Sequence, residues 1–262
     1  MAISQRLEIE AGNSISAVSL LFAAGRRPDT EAILRLAQQE YGFSVSLNPS
    51  EGHAAPAAGT DGQVWLELLV NGLTFDLLGL APGRSHRTPS HVHRYALAAD
   101  LNVSGLEAAT LCLSPHLAGG CAMLLVARSL AQLGAALSTL AGVEAIAWHP
   151  ARTLCGPDYF REGIQRWIGG GVFPTLGLTA LVAAPDGGMQ SEGLALFIGQ
   201  ELRLEPELMR DRAKGTKIGV WLIDYLVELG RIDTIQQIDG PDGQPLRLQP
   251  SENGRFVRAW CG

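Results

Sequence analysis

The sequence predicts an α+β fold, with a mixed or largely antiparallel sheet and helices packed on its faces. The segment 193–230 contains both patterns behind this prediction. Leu202 and Leu204 alternate with charged residues, which is typical of a strand with one face in a core and one in water. Ile218 and Leu222 belong to an apolar stripe at helical spacing. Many strands also follow one another across short turn sequences, which favours antiparallel pairing.

The N-terminal part of the chain predicts the order strand, helix, strand, strand. Asp29 or Thr30 is placed to cap the helix that follows the first strand. The dipeptide Asn71-Gly72 is the strongest hairpin signal in the chain, because both residues tolerate the positive φ angles of a two-residue turn. The predicted strands are 15–24, 43–47, 64–70 and 73–80.

The remaining chain continues this alternation. Residues 81–94 are polar and turn-prone, and 95–106 are ambiguous, with a short helix as one interpretation. Further helices are predicted at 121–140, at 158–168 and around Trp221, and further strands at 110–115, 143–148, 173–184, 192–205, 232–238, 246–248 and 256–260. We expect an N-terminal extension, 1–14, followed by a single α+β domain, 15–262. This domain would consist of two sub-layers, 15–106 and 107–262.

Composition and charge narrow the classes of function. The chain has 262 residues, of which 47% are hydrophobic and 18% charged, so it can build a sizeable core. Its formal net charge of -6 argues against nucleic acid as a partner. Charges near the N-terminus argue against a signal peptide, and the apolar run at 121–126 is too short to span a bilayer. The 4 cysteines form no Cys-x-x-Cys pair and lie in apolar surroundings or beside turns, which favours buried thiols in a reducing cytosol. We therefore expect a cytoplasmic protein, and the short apolar run predicts no membrane contact.

A set of glycine and apolar positions late in the chain resembles a known family. Residues 193–204 read Gly-Leu-x-x-Phe-x-Gly-x-Glu-x-x-Leu, and the fixed positions are Gly193, Leu194, Phe197, Gly199, Glu201 and Leu204. This pattern is similar to the signature of the bacterial domain of unknown function 4261, and Tyr159, 174–177 and 235–242 also fit. Residues 89–94 depart from the acidic and aromatic stretch of that family. The resemblance implies a bacterial origin and a fold class, and it implies no activity.

Arginines and histidines concentrate between residues 84 and 94. The candidate ligand-binding residues are Arg84, His86, Arg87, His91, His93 and Arg94, together with His149 at the end of a predicted strand. A His-x-His pair on an extended segment directs both imidazoles to one side, as a metal site requires. No Cys, Asp or Glu accompanies the pair, so we assign neither a metal nor a cofactor. Anion binding by the arginines and a solvated polar loop are the other interpretations.

Three other groups allow a chemical and a structural interpretation. Cys155 and His149 would form a nucleophile and its base, but nothing in their spacing requires a thiolate, which favours a turn histidine and an inert cysteine. Glu201 and Glu205 fit the solvent face of a strand better than a catalytic pair. Trp260, near the C-terminus, is the tryptophan that we expect to meet a partner chain.

Two classes of function remain. The sequence contains no phosphate-binding loop, dinucleotide-binding glycine pattern, nucleophile elbow or zinc-protease helix. This favours a non-enzymatic binding or protein-interaction module of regulatory or immunity type, which binds a protein partner or a second copy of itself. The alternative is an enzyme that binds a small ligand or a metal near residues 84–94 and His149.

Overall fold

A computed structural model describes residues 16–39, 42–49, 64–114 and 123–262. The predicted extension at 1–14 and the start of the helix predicted from 121 lie outside these residues. The strands are β1 (Ala17–Phe22), β2 (Ser44–Leu47), β3 (Trp65–Val70), β4 (Leu73–Leu78), β5 (His93–Tyr95), β6 (Glu107–Leu113), β7 (Val143–Trp148), β8 (Thr153–Cys155), β9 (Ala180–Ala183), β10 (Met189–Glu192), β11 (Glu201–Leu204), β12 (Gln236–Asp239), β13 (Pro245–Pro250) and β14 (Phe256–Cys261). The helices are α1 (Thr30–Ala37), α2 (Leu124–Leu137), α3 (Pro157–Ile168), α4 (Thr175–Leu178), α5 (Ala195–Ile198) and α6 (Arg212–Leu229).

Strands β1 to β8 form one sheet in the order β2-β3-β4-β6-β1-β7-β8-β5. All neighbours pair antiparallel except β5 and β8, which are parallel. The central order β4-β6-β1-β7, with α1 after β1 and α2 before β7, is a split β-α-β-β-α-β arrangement. Asn71 and Gly72 turn the predicted hairpin between β3 and β4 with φ angles of 51° and 75°.

Strands β9 to β14 form a second sheet in the order β12-β13-β14-β11-β10-β9. Here β11 and β14 are parallel, and the other neighbours are antiparallel. Helix α6 and the β12–β13 hairpin connect the two parallel strands along the chain. Antiparallel pairing therefore dominates both sheets, and the predicted α+β fold with a largely antiparallel sheet is confirmed.

One hydrophobic core contains residues from both sheets and from α2, α3 and α6. Trp148 at the end of β7 is fully buried, and its ring stacks on that of Phe197 in α5 with 6.2 Å between centroids. On α6, Ile218 and Leu222 are buried as their spacing predicts. The helices thus pack on sheet faces, and the aromatic rings lie where the two sheets meet.

Several elements differ from their predicted extent. The predicted strand 192–205 is interrupted by a turn at Gly193 and by α5, so that only β11 and the last residue of β10 are strand. The predicted strand 173–184 shortens to β9, and 95–106 contains one short 3-10 helix, Val103–Gly105. Strand β5 forms partly in a segment predicted as turn, because it pairs with the distant strand β8. Long-range partners decide each of these cases, and a local pattern does not report them.

Candidate functional site

The structure separates the predicted arginine and histidine cluster into two places. His86 is buried, and its backbone pairs with Ala108 on the side of β6 that faces β4. His93 begins β5 at the far edge of the sheet, where its N–H donates to the Arg152 carbonyl at 3.3 Å. Four strands lie between the two histidines, which makes five strand spacings, or about 24 Å at the usual strand spacing. They cannot bind the same small ligand.

His149 lies closer to His93, in the turn between β7 and β8, but its ring has a different partner. Its Nε2 is 2.9 Å from Ser19 Oγ, which is in turn 2.9 Å from Thr110 Oγ1. A serine and a histidine at this distance resemble a nucleophile and its base. Ser19 is fully buried, however, so its hydroxyl does not face solvent. The three side chains connect β6, β1 and the turn after β7.

The other predicted site residues lie at or near the surface. Arg84, Arg87 and Arg94 are exposed, and His91 is half-buried. The Arg94 guanidinium donates to the Leu101 carbonyl at 3.2 Å. Within the described ranges, no group of three or more His, Cys, Asp or Glu side chains lies close enough together to hold a metal ion. A ligand site at 84–94 with His149 stays a prediction.

Burial decides the interpretation of Cys155. This residue ends β8 with no exposed surface, and burial raises the pKa of its thiol to about 12. The group is therefore a thiol at neutral pH, whereas a nucleophile needs the thiolate. With His149 placed against Ser19, the structure supports the inert cysteine.

An apolar cavity of about 760 Å³ lies between α3 and the segment that follows it. Phe160 and Ile164 of α3 line one side, the segment 169–178 lines the other, and Val220 of α6 completes the wall. Its volume is within the range of cavities that hold a drug-sized ligand.

Three consecutive glycines, residues 169–171, form part of the cavity lining. Their N–H groups donate to carbonyls in the last turn of α3, so residues 169–171 end the helix. They have no side chains to cover the opening. Val172 and Leu176, which follow, are 71% and 38% exposed. The rim of the cavity is therefore apolar and faces water.

Hydrogen bonds from three directions hold the segment 173–177 in place. The pairs are Phe173 N–H to Asp224 Oδ1 of α6 (2.8 Å), the Tyr159 hydroxyl to the Leu176 carbonyl (2.8 Å), and the Thr153 hydroxyl to the Gly177 carbonyl. Each connects the segment to a different helix or strand. The cavity is thus formed by the fold before any ligand binds.

Aromatic rings support the cavity from the core. Phe173 lines it and meets Trp167 and Phe197 edge to face, with 5.1 Å and 4.9 Å between centroids. Phe197 in turn stacks on Trp148. The cavity wall is therefore supported by a packed cluster of aromatic rings that connects the two sheets.

Few polar groups reach the cavity. Arg166 is exposed, and its Nε donates to the Glu162 carbonyl at 3.3 Å. The ring of Tyr159 stacks on that of Tyr95, 6.3 Å away, and burial raises the pKa of the Tyr159 hydroxyl, which keeps it neutral. Thr175 is buried against the backbone. Among the described lining residues, no nucleophile lies beside a base.

The motif residues at 193–204 form a turn that Glu201 closes. The Glu201 carboxylate accepts hydrogen bonds from the N–H groups of three consecutive residues at 2.9, 3.2 and 3.1 Å, and from a serine hydroxyl; the donors are Gly193, Leu194, Ala195 and Ser191. Burial is the largest influence on this carboxyl and raises the pKa of Glu201. The solvent-face interpretation of Glu201 is wrong, since its carboxylate points inward. Glu205 is also buried, and Arg258 donates to it at 2.7 Å.

Trp260 lies on the second sheet between two arginines. The guanidinium of Arg258 is 4.7 Å from its ring centroid, and that of Arg247 is 6.0 Å away. Cation–π contacts of this kind hold the half-buried indole against its own sheet. A role of Trp260 in binding a partner stays a prediction.

No family model, curated protein or solved structure matches the chain. The resemblance to the bacterial domain of unknown function 4261 therefore depends on the motif residues, and it stays a prediction. Among the described helices, none combines the length and the apolar character needed to cross a bilayer.

Sequence reasoning did not find the cavity. Its walls come from α3, the segment 169–178 and α6, which only the folded chain brings together. One signal was present, because a run of three glycines followed at once by Val172 places an apolar residue where a polar turn residue is usual. Conversely, the motif that carried the resemblance forms the scaffold beside the cavity.

Proposed function

We propose that this protein is a non-enzymatic interaction module and that the cavity beside α3 binds an apolar side chain of a partner protein. The observation that supports this most directly is the exposed apolar rim. Val172 leaves 71% of its surface in water at the mouth of a cavity lined almost wholly by apolar groups and glycines. Apolar surface arranged around a concave site is typical of recognition.

Burial of this rim would contribute to binding. Covering a valine or leucine side chain completely is worth about 1.5–3 kcal/mol. Val172 and Leu176 already form part of a fixed segment, so their ordering adds little cost on association. A partner side chain entering the cavity would also contact Phe160 and Ile164.

The lining residues support binding rather than chemistry. The Tyr159 hydroxyl and Thr175 already bond to the backbone, and Arg166 can orient a ligand but is not a nucleophile. A regulatory or immunity-type role in a bacterial cytoplasm, in which the protein acts by occupying its partner, accords with this proposal.

Quantitative affinity capture from a lysate of the source cells tests the proposal. Wild-type protein and a Val172→Asp variant serve as baits, and mass spectrometry compares the retained proteins. We expect one partner to be depleted at least about tenfold on Val172→Asp, because a carboxylate at the rim would have to be desolvated against apolar surface.

The matched control is Ile235→Asp, which places the same charge on another exposed apolar residue, 54% exposed and outside the cavity. It should retain the partner as the wild type does. Equal retention by Val172→Asp and wild type, with both folded by circular dichroism, would contradict a docking site at this cavity.

A further inference from the structure

The charged group that lines the cavity is positive. Arg166 is the only charged side chain among the described residues that line it. A second guanidinium lies at the same end of α3, where Arg128 donates to the Ile168 carbonyl at 2.9 Å and lies 5.4 Å from the Trp167 ring centroid. Two guanidinium groups therefore lie at this end of α3.

Arg166 differs from the neighbouring arginine on α3 in having no carboxylate partner. Arg161 forms an ion pair with Asp158 at 2.6 Å. Glu162 is one turn before Arg166, but it offers the guanidinium only its backbone carbonyl. Asp224, across the segment, is engaged by the Phe173 N–H. Among the described carboxylates, none forms an ion pair with Arg166, which lines the cavity and acts electrostatically on the neighbouring Tyr159 hydroxyl.

We infer that the partner segment carries an aspartate or glutamate beside its apolar anchor, and that Arg166 binds this carboxylate. The inference rests on the proposed function. The planar guanidinium matches a carboxylate through two parallel N–H donors, which gives direction as well as attraction. An apolar anchor in the cavity would bring the acidic side chain of the same segment to the rim.

Selection of peptides from a random library tests this inference while the partner is still unidentified. Phage displaying twelve-residue random peptides are selected in parallel on wild-type protein and on Arg166→Glu. On wild type, we expect enriched peptides to combine a large apolar residue with a nearby Asp or Glu, at about fivefold above the library frequency, which is the range of an exposed ion pair. On Arg166→Glu, the preference should reverse to Lys and Arg.

Controls separate this inference from the proposed function. Arg255→Glu changes an exposed arginine in the turn between β13 and β14 and should select the same acidic peptides as wild type. Apolar peptides without charge preference on both wild type and Arg166→Glu would overturn the carboxylate inference and leave docking at the cavity intact. Selected peptides that bind Val172→Asp as well as wild type would overturn both proposals.

A titration with small molecules tests whether the cavity binds a protein segment or a small carboxylate. Octanoate and octanol are titrated against the wild type while NMR follows the protein. If no peptide is enriched but octanoate binds more tightly than octanol, the occupant is a small carboxylate, and the inference of an acidic protein segment is overturned. Failure of peptides and octanoate alike would overturn it too.

Discussion

Two irregular segments, 193–195 and 169–178, lie side by side in this molecule. They differ in which groups they direct into the protein and which they direct towards solvent. In the turn at 193–195, each backbone N–H is directed inward to the Glu201 carboxylate. In the segment 169–178, the backbone is held by its neighbours while the side chains of Val172 and Leu176 are directed outward. Contact between Phe197 and Phe173 connects the two.

This difference separates scaffold from surface. A buried carboxylate with four donors contributes to the stability of the fold, and changing it should lower the free energy of unfolding. An exposed valine at the rim contributes little to the same fold. The motif that resembles a known family is therefore structural, and the surface open to a partner lies next to it. We therefore expect mutations in the turn at 193–195 to change stability and mutations at the cavity rim to change binding.

Removal of the Glu201 carboxylate should have the largest effect. Glu201→Ala leaves three N–H groups and the Ser191 hydroxyl without their acceptor in a buried turn, and we expect a loss of about 4 kcal/mol in the free energy of unfolding. Urea denaturation followed by tryptophan fluorescence measures it. Glu228→Ala, at an exposed position on α6, should stay within about 0.5 kcal/mol. A comparable loss in both variants would contradict a special role for Glu201.

The pH dependence at Glu201 has a defined sign. Burial raises the pKa of this carboxyl in the folded state above the value of about 4.3 in an unfolded chain, so the folded protein binds the proton more tightly. Its contribution to unfolding free energy is therefore greatest below pH 4.3, falls as pH rises through the raised pKa, and is constant above it. The difference between wild type and Glu201→Gln should show this slope. The opposite slope would mean that the four hydrogen bonds outweigh burial.

Two glycines in the turns at either end of β10 test the scaffold side of the comparison with a smaller effect. Gly193 and Gly187 have nearly equal φ angles of 90° and 89°, so alanine is strained at both by about 1–2 kcal/mol. A Cβ at Gly193 would lie 2.9 Å from Ala151 Cβ and 3.0 Å from the Leu178 carbonyl oxygen, whereas a Cβ at Gly187 meets nothing within 4 Å. We expect Gly193→Ala to lose about 2 kcal/mol more than Gly187→Ala in urea denaturation. Equal losses of unfolding free energy would mean that the backbone around Gly193 shifts to accommodate the added methyl group.

Local patterns in the sequence predicted the parts of this fold that local forces determine. The Asn71-Gly72 hairpin depends on two adjacent residues, and α6 on an apolar stripe within one helix, so both were predictable. The strand predicted at 192–205 was wrong in its middle, because the alternation around Leu202 says nothing about a carboxylate that reaches back to Gly193. Burial of a charged group depends on its tertiary partners, which alternation does not encode.

The candidate site was less predictable for the same reason. The histidines at 84–94 are close in sequence, yet His86 pairs with β6 and His93 with β8, and these pairings place them in different parts of the sheet. The cavity arises from the opposite situation, since Ile164 and Val220 are far apart in sequence and share one wall. Proximity along the chain is therefore a poor guide to the site in a fold built from two sheets.

The smallest stability effect is expected at the cavity rim, and it tests the comparison most directly. Val172→Ala removes two methyl groups from a side chain that is 71% exposed, so the free energy of unfolding should change by less than about 0.5 kcal/mol. Ile164→Val removes only one, from the inner wall of the same cavity, where the side chain is 1% exposed, and should lose about 1 kcal/mol. Chemical denaturation of both variants gives the two values. If Val172→Ala lost as much as Ile164→Val, the rim would be part of the core, and its apolar surface would be explained by folding without a partner.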